Sequence, residues 1–177
     1  MPSKNKPTNR RKPNGRRRNV DDAKLRRLIV EYFGDSHAHV NFAVAVKDFP
    51  PEARGVRPAG APFTAWQLLE HMRIAQWDIL EFSRDAKHVS PDFPSGYWPH
   101  TDAPPDAQAW NKSVRAYEAD SKAMQRLIRN PKIDLLARIP HGQGQTLLRE
   151  ALAVIDHASY HLGQLVMLSK MLGAWKE

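Results

Sequence analysis

Cysteine is absent from the 177 residues of this chain. Disulfide bonds, thiolate metal sites and a cysteine nucleophile are therefore excluded, and any thiol that takes part in a reaction must come from a substrate or cofactor. A chain without cysteine is also consistent with a reducing compartment, so we expect a cytoplasmic protein.

Long apolar runs are absent as well. No stretch of about 18 apolar residues occurs, so we expect no membrane-spanning helix and no membrane partner. The N-terminal segment lacks the apolar core of a secretory signal. Hydrophobic residues make up 41% of the chain and charged residues 26%, which is the balance of a globular domain with a real core.

Positive charge is concentrated at one end of the chain. Residues 1–18 contain eight of the 27 basic residues and no acidic one, which leaves 19 basic against 19 acidic residues in the remainder. A neutral remainder argues against a broad nucleic-acid-binding face on the domain. Because residues 1–20 have almost no apolar side chains, we expect a disordered basic tail there. A solvated tail without a specific partner and weak contact of residues 1–18 with nucleic acid or an anionic surface both remain open.

The rest of the chain has the pattern of an all-α protein. Apolar residues recur at helical spacing in segments that predict helices over residues 21–47, 64–84, 106–129 and 146–172. In the first segment the residues with this spacing are Leu25, Leu28, Ile29, Tyr32 and Phe33. Thr64 followed by Gln67 is a capping-box pattern, and Gly173 matches the glycine that commonly follows a helix. Because no segment has a strand pattern, residues 21–177 are predicted to form one up-and-down four-helix bundle domain.

A long connection, residues 88–105, lies between the second and third predicted helices and contains five prolines. Long structureless loops in compact domains are often functional. This one carries the aromatic residues Tyr97 and Trp98. Two interpretations remain open, namely that these side chains anchor the loop to the bundle, or that the loop covers a site between helices.

Two histidines four residues apart, His157 and His161, lie on the apolar stripe of the last predicted helix. This spacing places both on one helix face with Cβ atoms about 5–6 Å apart, so their imidazoles can bind one metal ion. Buried imidazoles must otherwise find hydrogen-bond partners or incur a desolvation cost. The same spacing also arises by chance, so a metal site and two hydrogen-bonded core histidines both remain open.

A third histidine, His71, lies on the buried stripe of the second predicted helix. Three imidazoles leave a coordination position free, which is typical of catalytic rather than structural zinc sites. Asp78, Glu150 and Gln164 lie on neighbouring turns and could orient these ligands, although ordinary surface charge also explains the two carboxylates. The other histidines are less favoured because of their spacing or their position in predicted loops; they are His37, His39, His88, His100 and His141.

Several common motifs for metal and nucleotide sites are absent. No glutamate lies three residues before His71, His157 or His161, which excludes the Glu-x-x-His pairs of a ferritin-like di-iron site. The zinc-protease motif HExxH, the dinucleotide motif GxGxxG and the Walker loop do not occur either.

The segments WQLLEH at residues 66–71 and HASYHLGQ at residues 157–164, with the long loop between them, resemble the DinB/YfiT-like superfamily of metal-binding four-helix bundles. The resemblance covers residues 22–175 and does not extend to the tail. It implies one divalent ion, zinc or nickel, held by His71, His157 and His161. Characterised members of that superfamily include thiol-dependent S-transferases and a mycothiol-dependent isomerase, whereas many members have no established activity.

Three functions remain open from the sequence. The leading one is a metal-dependent enzyme that activates a low-molecular-weight thiol for S-transfer to a small-molecule substrate, or water for hydrolysis. The second is a non-catalytic metal-binding or stress- and damage-response accessory protein. The third is a nucleic-acid-associated protein, in which the basic tail carries the main function and the bundle serves as an assembly module. The sequence also leaves open whether the chain forms a homodimer.

Overall fold

The computed structural model describes residues 15–34 and 38–175, and its named secondary-structure elements are all helices. These residues form α1 (Gly15–Gly34), α2 (Phe42–Val46), α3 (Ala65–Arg84), α4 (Ala109–Arg129) and α5 (Leu147–Met171). Two short 3₁₀ turns, Pro51–Ala53 and Ser95–Tyr97, lie in the connections. No strand occurs within the described residues, so the all-α prediction is confirmed. None of these helices is long and apolar enough to cross a membrane.

The helices that carry the candidate ligands begin where the sequence predicts them. The Thr64 side chain accepts a hydrogen bond from the Gln67 backbone N–H, and the Gln67 side chain accepts one from the Thr64 backbone N–H, which completes the capping box of α3. At the start of α5 the Thr146 side chain accepts a hydrogen bond from the Arg149 N–H at 3.2 Å. Each cap satisfies backbone donors that a helix leaves unpaired at its first turn.

The predicted first helix over residues 21–47 is wrong, because the structure has two helices in that region. α1 ends at Gly34, and α2 starts at Phe42 after an N-cap, Asn41, whose side chain accepts from the Val44 N–H at 3.0 Å. Glycine and asparagine are both typical of helix ends. α1 also starts at Gly15, so residues 15–20 of the predicted tail lie in this helix, whereas residues 1–14 lie outside the described residues.

A buried arginine joins α1 to the end of α4. The Arg26 guanidinium donates to the carbonyl oxygens of Ile128, Asn130 and Ile133 at 2.6, 3.0 and 2.6 Å, and it pairs with Asp22 at 2.7 Å. The last carbonyl groups of a helix have no hydrogen-bond partner within the helix, and a donor such as arginine supplies one. Its positive charge also interacts favourably with the negative end of the helix dipole.

This arginine determines which face of α1 is buried. Arg26, Ile29 and Val30 are buried, whereas Leu28 and Tyr32 are each 52% exposed. Leu28 and Tyr32 belong to the apolar stripe that helical spacing predicts, whereas the buried face includes an arginine, a residue type that is mostly exposed in proteins. The buried face of α1 is therefore shifted by about one residue around the helix from the face that the sequence predicts.

α3 is central to the packing because it lies against both α4 and α5, and α1 also contacts these two helices. The interior has two hydrophobic clusters, one including Leu165 of α5 and the other including Val154. Along α5 the change from one cluster to the other falls between Val154 and Leu162, where His157 and His161 lie. The candidate ligands therefore occupy a polar break in an otherwise apolar interior.

Replacement of Arg26 by alanine should lower the free energy of unfolding by about 3 kcal/mol, because three carbonyl groups lose a charged and buried donor. Chemical denaturation of the full chain measures this change. Arg27→Ala is the matched control, since Arg27 is exposed and its loss should change stability by no more than about 0.5 kcal/mol. Equal stability of the two variants would show that the Arg26 bonds contribute nothing net.

Candidate metal centre

Three imidazole rings meet where α3 packs against α5. His71 comes from α3, and His157 and His161 come from successive turns of α5. Their candidate ligand nitrogens all lie within 4.8 Å of one another. The ring centroids are 4.5 to 4.9 Å apart, and the ring planes are inclined by 63 to 83°. The structure thus brings together the three histidines that the sequence predicted as a set.

Two of these rings are oriented by hydrogen bonds outside the cluster. Nδ1 of His71 lies 2.9 Å from the backbone carbonyl oxygen of Tyr97, and Nδ1 of His161 lies 2.7 Å from Oε1 of Gln164. Both oxygens can only accept, so each ring carries its proton on Nδ1 and keeps a lone pair on Nε2. A partner of this kind is usual for a metal-binding histidine. Gln164 thus contacts one of the rings that the sequence analysis expected it to orient.

The third ring completes a donor set that suits a divalent ion. Nε2 of His157 lies 3.0 Å from Nε2 of His71, and because the latter accepts, His157 donates the proton between them. Because the three candidate nitrogens lie within 4.8 Å of one another, the rings could adjust to hold one ion at the usual distances of about 2.0–2.1 Å. A shift of the His157 proton from Nε2 to Nδ1 frees the third lone pair without changing the charge of the ring.

Burial keeps the three imidazoles neutral. It lowers the pKa of His71 and of His161, and the bonds to Tyr97 and Gln164 oppose this effect. Burial, together with the charges of His161 and His71, lowers the pKa of His157 to about 4. Among the residues that the structure describes, none of the three rings forms an ion pair with a carboxylate. The cluster therefore offers uncharged lone pairs at neutral pH, which is the protonation state that metal binding requires.

The long loop covers the cluster from the α3 side. The Trp98 ring lies parallel to the His71 ring, with the centroids 3.9 Å apart and an interplanar angle of 2°. Phe63 also stacks on Trp98, at 4.1 Å and 16°. The two interpretations of the loop are therefore compatible, because the aromatic contact that anchors it also covers His71.

Hydrogen bonds hold the end of this loop against the start of α3. The Thr64 hydroxyl donates to the backbone carbonyl of Asp102 at 2.6 Å, and Nε1 of Trp66 donates to the Thr101 hydroxyl at 3.1 Å. The residue that caps α3 thus also fixes the chain that returns from the site.

Asp78 does not orient a ligand histidine directly, and this expectation from the sequence is wrong. One of its oxygens accepts a hydrogen bond from the Tyr97 hydroxyl at 2.6 Å, and the other lies 2.7 Å from Nε2 of His88. Glu150 lies in the first turn of α5 and forms an ion pair with Arg149. The sequence analysis named Tyr97 as a loop aromatic and His88 as a less favoured histidine. It did not predict their bonds to Asp78, because neither residue belongs to a periodic segment.

The other histidines that the structure describes lie outside the cluster. Besides His88, His141 bonds through Nε2 to the carbonyl of Phe82 at 2.6 Å, and His39 bonds to the neighbouring Val40 carbonyl at 2.8 Å. His100 is exposed. His37 lies outside the described residues.

Comparison with known proteins places this arrangement in a family. A sequence model of the DinB superfamily matches residues 36–165, a segment that includes all three clustered histidines, the covering loop and most of α5. Searches among curated proteins and among solved structures found no significant match. Because the family match spans most of the sequence, the chain belongs to the DinB superfamily.

Proposed function

We propose that this chain is a metal-dependent enzyme in which His71, His157 and His161 hold one divalent ion, zinc or nickel, within an up-and-down four-helix bundle. The observation that carries the proposal is the convergence of three neutral imidazoles, two of which have their tautomer fixed from outside the cluster. Histidines that served only the core would be satisfied by separate hydrogen bonds and would not need to meet at their nitrogen edges.

The surroundings of the cluster favour catalysis over a purely structural site. An ion on three neutral imidazoles would keep its full charge and an open position, and it would lower the pKa of a thiol or water that reaches it. Trp98 shields one face of His71 from water, and burial around the rings lowers the local dielectric. No protein carboxylate is paired with the rings within the described part of the chain, so the positive charge would be left for an anionic fourth ligand.

A low-molecular-weight thiol is the nucleophile we propose. Its sulfur would lose its proton to solvent and form a bond to an electrophilic atom of the substrate, while the substrate's leaving group would depart with the electron pair of the bond that breaks. A thiol ionises readily beside a cation and then attacks without further help, whereas water benefits from a general base. Asp78, a carboxylate on the buried side of α3, is engaged by Tyr97 and His88 and is not free to act as a base. The absence of cysteine from the chain means that this thiol is brought by a substrate or cofactor. Hydrolysis is the second choice, because water can reach any open position.

Protein purified without a metal-affinity tag should contain one zinc or nickel ion per chain by elemental analysis. Alanine at His71, His157 or His161 should lower this content sharply, because two imidazoles bind such ions far more weakly than three. His100→Ala is the matched control, since this exposed histidine lies in the covering loop but outside the cluster. Full metal content in the His157→Ala/His161→Ala double variant would refute the site.

The metal-free protein should lose stability as the pH falls below about 6.5, the ordinary pKa of histidine. The folded state keeps His157 neutral down to a pKa of about 4, whereas the unfolded chain takes up a proton near 6.5, so protonation favours unfolding between these values. Unfolding at a series of pH values measures the effect. His157→Gln should flatten the dependence in this window, and His100→Gln should leave it unchanged. Identical pH profiles for wild type and His157→Gln would contradict the assigned burial of this ring.

Addition of a small thiol to the cobalt-loaded protein should produce a thiolate-to-metal charge-transfer absorption that saturates with thiol concentration. An open coordination position and an uncompensated cation are the reasons to expect it. The His71→Ala variant should not show the band at the same metal concentration. If neither thiol nor solvent water reaches the cobalt, the ion is structural, and the chain is a non-catalytic metal-binding or accessory protein.

A further inference from the structure

One carboxylate holds both ends of an exposed excursion of the covering loop. Asp78 bonds to His88 on the outgoing side at 2.7 Å and to the hydroxyl of Tyr97 on the returning side at 2.6 Å. Between these two residues the side chains of Val89 and Phe93 are 83% and 87% exposed. Within the excursion Tyr97 contacts the Phe93 ring at 6.1 Å and donates its backbone N–H to the Pro94 carbonyl at 3.2 Å. Asp78 is the partner that ties the Tyr97 side chain to α3.

The clamp is built from buried groups. Asp78 belongs to α3 and is 8% exposed, and the His88 side chain paired with it is equally buried. Burial and the Asp78 carboxylate raise the pKa of Tyr97 to about 12, so its phenol remains protonated and donates. A buried carboxylate with two fixed donors is a strong and directional anchor, because its loss would leave both donors unsatisfied.

Tyr97 connects this clamp to the metal centre. Its hydroxyl donates to Asp78, and its backbone carbonyl accepts the Nδ1 proton of His71 at 2.9 Å. The next residue, Trp98, stacks on the same imidazole. A displacement of Tyr97 would therefore remove the acceptor of the His71 proton and the ring that flanks it. A His71 ring without that acceptor can carry its proton on Nε2, where it blocks the lone pair that faces the cluster.

We propose that Asp78 is a positioning residue of the metal centre, which fixes the tautomer and ring orientation of His71 through Tyr97 although it contacts none of the three imidazoles. For its effect on metal affinity this inference rests on the proposed function. Its effect on the His71 tautomer exists in the metal-free protein and can be tested there.

The test compares Asp78→Ala, Tyr97→Phe and the double variant, each in the full chain. Long-range ¹H–¹⁵N NMR of the metal-free proteins reports the His71 tautomer, which should be the Nδ1–H form in wild type and a mixture in every variant. Titration with Zn²⁺ and Co²⁺ should give dissociation constants raised about 10–100-fold, as for other outer partners of metal ligands. The metal dissociation constant of the double variant should not exceed the larger of the two single-variant values, because both substitutions break the same chain of contacts.

Two controls match the substituted residue types. Tyr160→Phe removes a hydroxyl from the tyrosine whose ring lies 4.9 Å from the His161 ring, and Asp156→Ala removes an exposed carboxylate next to His157 in the sequence. Neither should change the His71 tautomer or the metal dissociation constants. Circular dichroism identifies any variant that fails to fold, and Tyr97→Phe then decides the matter alone, because it keeps the ring and the backbone.

The two proposals fail in different ways. If wild type binds neither Zn²⁺ nor Co²⁺ while Tyr97→Phe still changes the His71 tautomer, the metal function is wrong and the clamp stands. If folded Tyr97→Phe keeps His71 in the Nδ1–H form, the clamp is wrong, whatever the metal affinity. Additive losses of affinity in the double variant would also overturn it, since Asp78 would then act by a route other than Tyr97.

Discussion

Desolvation of three imidazole rings is the constraint on which the rest of the site depends. Packing of α3 against α5 buries His161 and partly buries His71 and His157, so nitrogens turned away from water need partners inside the protein. The Tyr97 carbonyl and the Gln164 side chain satisfy one nitrogen each on His71 and His161. The remaining nitrogens are left to face one another. Helix packing thus sets the distances within the cluster, and the outer partners decide which nitrogen each ring presents.

α3 organises the covering loop as well as the cluster. Thr64, His71 and Asp78 follow one another at intervals of seven residues, which places them on one face of the helix two turns apart. Each bonds to the loop, at the carbonyl of Asp102, the carbonyl of Tyr97 and the hydroxyl of Tyr97 respectively. The loop therefore runs antiparallel to α3 along this face. The same face of α3 thus presents the capping residue Thr64, the candidate ligand His71 and the loop-binding residue Asp78 at equal spacing.

The sequence predicted those features that depend on local chemistry or on periodicity. The starts of α3 and α5 follow from capping residues, and the clustered histidines follow from their place on apolar stripes. Arg26 was missed because its partners are carbonyl groups at the end of α4, more than a hundred residues away, which no local pattern reports. Asp78 was singled out for its spacing from His71, but its partner Tyr97 could not be predicted because it lies in a loop without a periodic pattern. Sequence patterns could not predict long-range contacts made by irregular backbone.

The loop and the histidine cluster share contacts, so an ion bound to the cluster would be coupled to the loop, and such coupling is reciprocal. Tyr97 and Trp98 contact His71 without an ion, so an ion that fixes the His71 ring would also favour the loop conformation that holds it. At a free concentration one hundred times its dissociation constant, an ion that binds only the closed arrangement stabilises it by about 2.7 kcal/mol. This exceeds the net contribution of a single hydrogen bond, about 1 kcal/mol. Ion occupancy, more than any one loop contact, would then determine the population of the conformation in which Trp98 lies over His71.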